Sequence, residues 1–149
     1  MSSSDSFSHD FRSCRTRVAM HFLDAAPVED EPVTVEGWLT YYDENDKSWK
    51  PLKGRLSFYL DNRMIGESES NELGMFSFTF LAPIEGKHAL EARFKGKPGY
   101  EPSSKKMEFR VLKAEEKKRI MRTARNALIL IFFFIFFLIF LMFYVKMTQ

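Results

Sequence analysis

The residues able to do chemistry are few in this chain, and their spacing assembles no reaction centre. Histidine occurs three times, at His9, His21 and His88. His9 belongs to a polar N-terminal stretch. In an extended segment His21 falls opposite Val18, Met20 and Phe22, and His88 keeps step with apolar neighbours as a core or rim histidine would. Zinc or iron would need paired Cys, His-x-His or a His-Glu helical spacing, and none is written here. A phosphate-cradling glycine loop and a Gly-x-Ser-x-Gly nucleophile turn are also missing. The densest carboxylates, Asp43, Glu44 and Asp46, lack the glycine and the distal Glu of a calcium loop. They read as a solvated turn. Trp38, Tyr41, Tyr42 and Trp49 border that turn. Such side chains are enriched where partners bind, and they also cap and pack sandwich edges. The expectation is a protein without catalytic, cofactor or metal residues and without a small-molecule substrate, whose candidate interface is Trp38, Tyr41, Tyr42 and Trp49.

The elements that hold these residues read as short strands. Pro32 to Thr40 alternates, with Val33, Val35 and Leu39 on one face, and Arg55 to Leu60 alternates through Leu56, Phe58 and Leu60. Asp61-Asn62-Arg63 turns the chain into Met64 to Ser68. Asn71 to Gly74 turns it again, into a segment bearing Phe76, Phe78 and Phe80 on one face. Glu85-Gly86 precedes His88 to Phe94, Lys95 to Ser103 is a Gly/Pro loop, and Met107 to Val111 closes the set. Period-two alternation broken by Gly, Pro, Asn and Asp predicts a half-buried antiparallel sandwich over residues 33–112. Residues 1–32 read as a flexible N-terminal segment with one possible strand at 17–23, its last part, Asp24 to Pro32, being a linker of acids and prolines. Cys14, the sole cysteine, permits no intrachain disulfide and reads as a bystander in that segment.

From Gly37 onward the chain resembles the immunoglobulin-like (Ig-like) sandwich repeats of prokaryotic surface proteins. The likeness rests on Gly37-Trp38-Leu39, Pro51-Leu52-Lys53-Gly54-Arg55-Leu56-Ser57-Phe58-Tyr59, Ile65-Gly66 and Asn71-Glu72-Leu73-Gly74-Met75-Phe76-Ser77. It continues through Pro83, Glu85-Gly86-Lys87-His88-Ala89-Leu90, Phe94-Lys95-Gly96 and Tyr100-Glu101-Pro102-Ser103-Ser104. Carboxypeptidase-regulatory-like sandwiches share much of this pattern. Both resemblances imply a rigid spacer or binding module that brings no catalytic residues.

Residues 127–145 (ALILIFFFIFFLIFLMFYV) contain no charge, Gly or Pro. As a helix at about 1.5 Å per residue they extend roughly 28 Å, enough to cross the roughly 30 Å hydrocarbon core of a bilayer. Residues 113–126 ahead of the span carry six Lys/Arg against two Asp/Glu, whereas residues 1–112 carry 15 against 18. They predict a helical stalk continuous with the span, and residues 146–149 form a tail. Lys117, Lys118, Arg119, Arg122 and Arg125 are placed to contact lipid headgroups. The positive-inside rule then sets the sandwich in the cytoplasm, as in a tail-anchored, single-pass protein. Phe side chains and the lack of a small-xxx-small pattern read as an anchor with Phe on every face, not a pore, relay or tight dimerisation helix. The domain carries no basic face for nucleic acid. The fold class expected is mainly β: one antiparallel Ig-like β-sandwich followed by a long helix that becomes the transmembrane span. The function expected is protein–protein interaction at the membrane, with an unidentified protein partner, or an accessory subunit of a membrane complex. The surface-protein resemblance instead implies an outward-facing structural or adhesive role in the cell envelope.

Overall fold

The computed structural model describes residues 13–147, so His9 and the end of the tail lie outside the described residues. Among the described residues, eight strands precede one helix: β1 (Thr16–Phe22), β2 (Pro32–Asp43), β3 (Ser48–Pro51), β4 (Arg55–Leu60), β5 (Arg63–Glu69), β6 (Met75–Leu81), β7 (Gly86–Phe94), β8 (Ser103–Val111) and α1 (Ala114–Met147). The strands form two antiparallel sheets that make an Ig-like sandwich, and the described residues from 112 to 147 form a second compact unit.

The first sheet is organised on β2. Of its twelve residues, Val35 to Tyr41 pair with β1 along one edge. Along the other the strand pairs first with β6, Pro32 to Trp38 against Leu81 to Met75, and then with β3, Thr40 to Asp43 against Pro51 to Ser48. The second sheet has the order β5-β4-β7-β8. Alternation along the strands sends Val18, Met20, Val33, Val35, Leu39, Leu56, Phe58, Phe76, Phe80, Leu90, Ala92, Phe94 and Val111 into one core. Phe58 stacks on Phe78 with ring centroids 4.1 Å apart.

Two positions show how tightly the sheets are set. A side chain at Gly37 would place its Cβ 2.1 Å from the carbonyl oxygen of Ala19 and 2.5 Å from the ring of Phe76. Asp61 and Asn62 take φ of 48° and 70°, the left-handed pair that a two-residue hairpin between β4 and β5 requires.

The N-terminal segment departs from expectation. The strand foreseen at 17–23 is β1, fully paired with β2 from Thr16 to Phe22. Residues 24–31 are packed instead of forming a linker. Pro27 and Val28 are buried, the Asp30 N–H donates to Ala82 O at 3.2 Å, and the Ala82 N–H donates to Glu31 O at 2.9 Å. Cys14 is half-buried rather than set in a mobile tail. Its N–H donates to Gly99 O at 2.8 Å and its carbonyl accepts from the Glu101 N–H at 2.9 Å. The sandwich therefore extends N-terminally well beyond residue 33. Acid and proline content records local conformational preference, but here the backbone groups find partners distant in sequence.

The helix is one continuous element over Ala114–Met147, long and apolar enough to cross a membrane. Its register also corrects the reading of Phe on every face. At 100° per residue, Phe133, Phe136, Phe137, Phe140 and Phe143 lie on one side, Phe132 and Phe134 flank the other, and the strip between those two carries none.

Candidate functional site

The outer face of the first sheet follows from what the inner face buries. Because Val33, Val35 and Leu39 point into the core, β2 turns Glu36, Trp38, Thr40 and Tyr42 outward. β1 buries Val18 and Met20 and turns Arg17, Ala19 and His21 outward. Register then sets the neighbours: Trp49 on β3 lies opposite Tyr42, Met75 on β6 opposite Trp38, and Ala19 opposite Trp38 on the other side.

Trp38, Tyr42 and Trp49 therefore share one surface. Tyr42 and Trp49 meet edge to face with centroids 5.4 Å apart. The Arg17 guanidinium lies 4.4 Å above the Trp49 ring and that of Arg15 4.9 Å above Tyr42. His21 stacks on Trp38 at 5.8 Å. Trp38, Trp49 and Met75 remain 42%, 39% and 41% exposed. Each exposed cation–ring contact contributes about 0.5–1 kcal/mol and orders two side chains that otherwise sample many rotamers. The product is a flat, preorganised aromatic surface bordered by two guanidinium groups.

Tyr41 does not belong to it. Adjacent residues of a strand face opposite ways, so Tyr41 points inward and packs edge-on to Tyr100 with centroids 5.2 Å apart. Arg15, Arg17, His21 and Met75 are members that the grouping around the carboxylate turn left out. The usable signal was the alternation of Arg17, Ala19 and His21 with Val18, Met20 and Phe22.

The carboxylate turn is occupied by a cation of the chain itself. Lys50 Nζ lies 2.6 Å from Asp43 Oδ2 and also pairs with Asp46. The Asn45 N–H donates to Asp43 Oδ1 at 2.9 Å. The Lys50 hydrogen bond, aided by that N–H, holds the Asp43 carboxyl below its usual range. This arrangement pins the β2–β3 hairpin and hence the Tyr42–Trp49 pair.

On the second sheet His88 bridges two elements. Its Nδ1 is 2.6 Å from Asp61 Oδ2 and its Nε2 is 2.8 Å from Ile84 O, while Asp61 Oδ1 accepts the Ala89 N–H at 2.9 Å. The histidine thus fastens the β4–β5 hairpin to the start of β7.

On α1 the predicted headgroup contacts fall into a one-sided array. Lys118, Arg122 and Arg125 follow spacings of four and three and share one side, Met121, Arg119 and Lys117 border it, and Ile120 and Ala124 lie opposite.

No protein-family profile matches the chain. An uncharacterized protein of Archaeoglobus fulgidus is 52% identical over 143 residues, covering 95% of this chain and 99% of that protein. Among solved structures, a CARDB domain from Pyrococcus furiosus, in complex with di-metal ions, aligns with 68% of this chain and 91% of its own. The identity is 9% and the TM-score 0.49, which assigns no residue of this chain a role.

Proposed function

We propose that this chain, which belongs to the same family as the Archaeoglobus fulgidus protein, is a non-enzymatic interaction protein held at a membrane by its C-terminal helix. The Trp38–Tyr42–Trp49 face, with Arg15 and Arg17 at its border, is the surface offered to a protein partner, as a separate protein or as the rest of a membrane complex. The observation that carries this reading is the concentration of exposed Trp, Tyr and Arg on one sheet face. These residue types dominate binding energy at interfaces, and the contacts among them lower the entropy lost on binding. Lys117, Lys118, Arg119, Arg122 and Arg125 lie at the headgroups of the cytoplasmic leaflet, where each contributes about 1 kcal/mol, and the sandwich faces the cytoplasm.

Affinity capture from detergent extract tests the surface. The full-length chain should retain a partner that the Trp38→Ser/Trp49→Ser double variant loses, with the far-UV circular dichroism of the two unchanged. Equal capture by both, or no partner for either, would sink the assignment. Protease added to sealed cells tests the side: residues 1–112 should survive. Their digestion from outside would replace the cytoplasmic reading with that of an outward-facing envelope protein.

A further inference from the structure

None of the described side chains of α1 is buried. Its sequence nevertheless contains a seam. Met121, Ala124, Leu128, Ile131, Ile135, Leu138, Met142 and Val145 follow one another at alternating intervals of three and four. They are aliphatic, Ala or Met throughout. A repeat averaging 3.5 residues is the spacing at which two helices stay in contact while winding gently round each other, crossing at about +20° in membranes as in water. No aromatic residue lies on it, although Phe132 and Phe134 border it. Phe133, Phe136, Phe137, Phe140, Phe143 and Tyr144 are on the far side, where acyl chains would meet them.

We infer that this seam pairs α1 with α1 of a second copy of the chain, parallel and in register. Three observations select that occupant. First, copies of one chain insert the same way round. The Leu128 of one then meets the Leu128 of the other, and the whole repeat is matched without any complementary sequence having to be supplied. Second, the seam does not stop where the nineteen-residue apolar run begins. It continues to Ala124 and Met121, among the cations. Met121 is 65% exposed there, and its neighbour Ile120 52%. With the flanking cations at the headgroups, as proposed above, acyl chains cover these side chains less than those of the apolar run, and a second copy would cover them.

Third, the charges permit it. Arg119 and Arg122 point away from the seam. Arg125 flanks it, and in a parallel pair its neighbour across is Ile120, against which its methylenes can lie while the guanidinium stays in the headgroups. The next seam position toward the N-terminus is Lys117, where two lysines would face each other, so the repeat ends at Met121. The pairing is independent of the partner-binding face. Were both correct, each assembly would present two such faces and gain avidity from them.

Site-directed cross-linking of the full chain in membranes tests the pairing. In a Cys14→Ser background, which removes the single native thiol, one cysteine is introduced at a time: Leu128→Cys, Ile131→Cys, Ile135→Cys or Leu138→Cys on the seam, and Ile129→Cys, Phe133→Cys, Phe136→Cys or Phe140→Cys off it. Copper–phenanthroline serves as oxidant. Disulfide-linked homodimer should form several-fold more at the four seam positions than at the four others. Uniform yields, a maximum on the Phe side, or a seam cross-link to a different protein would each overturn the proposal. Sedimentation equilibrium of the unsubstituted chain in density-matched detergent gives a second readout that needs no substitution. A mass of twice 17.5 kDa supports the pairing, and a monomer at every protein-to-detergent ratio refutes it.

Discussion

The His88–Asp61 bridge makes the stability of the sandwich depend on pH in a defined direction. Asp61 Oδ2 and Ile84 O can only accept, so the ring satisfies both when both of its nitrogens carry protons. Burial is the largest single influence on His88 and pulls its pKa down. The hydrogen bonds to Asp61 and Ile84, with the Asp61 charge, outweigh it and leave the pKa above the ordinary 6.5. The His88 hydrogen bond in turn holds Asp61 below its ordinary 3.8. A raised histidine pKa gives stability that is complete below the unfolded value and is lost as pH rises through the folded one. A depressed aspartate pKa gives stability that is present above the unfolded value and is lost as pH falls through the folded one. The bridge is therefore strongest between the two ordinary values.

Asp61→Asn isolates the charge. Asn accepts the φ of 48° that the hairpin demands, and its amide oxygen can still take the Ala89 N–H. A hydrogen bond between charged groups contributes about 1.5–3 kcal/mol. Because the Asp61 side chain is 48% exposed, solvent screening brings this to about 1 kcal/mol. In the detergent-solubilised full chain, followed by the fluorescence of Trp38 and Trp49, the variant should lose about 0.5–1 M in urea midpoint near pH 5.5. It should converge on the parent by about pH 9, once His88 is neutral. A deficit of the same size at both pH values, or a larger one at pH 9, would refute the bridge as an ion pair.

Two further perturbations test the fold and the orientation. Gly37→Ala drives a Cβ into the backbone oxygen of Ala19, which cannot swing aside as a side chain would. The urea midpoint should show a loss of about 2 kcal/mol or more, and a neutral result would mean that β1 and β2 are not in the described register. Replacing Arg119, Arg122 and Arg125 together by Gln, with three lysines added after Gln149, should reverse which side of the membrane carries the sandwich, read as protease accessibility of residues 1–112. Unchanged accessibility would detach the orientation from the basic collar.

The parts of this molecule legible in its sequence are those governed by the period of a single element. Leu56 and Phe58, or Phe76 and Phe80, announce their inward face because every second residue is apolar, and the helix announces itself because no breaker interrupts 113–147. What pairing decides is harder to read. Pro27 and Val28 sit in a stretch of acids and prolines, and only the bonds to Ala82 show that it is packed. β3, with the four residues SWKP, is too short to show a period, and its place is set by the edge that β2 leaves free beyond β6. The aromatic face belongs to both kinds. Trp38 and Tyr42 share it by parity on β2, which also excludes Tyr41. Arg15 and Arg17 reach it because β1 takes the opposite edge of β2. Tryptophans alone would form a greasy patch with no order among its members. The guanidinium groups of Arg15, just before β1, and of Arg17 within it give it polarity and hold the rings in place. The N-terminal segment is therefore a structural part of the surface proposed to bind, and a sandwich beginning at residue 33 would lack half of that surface's chemistry.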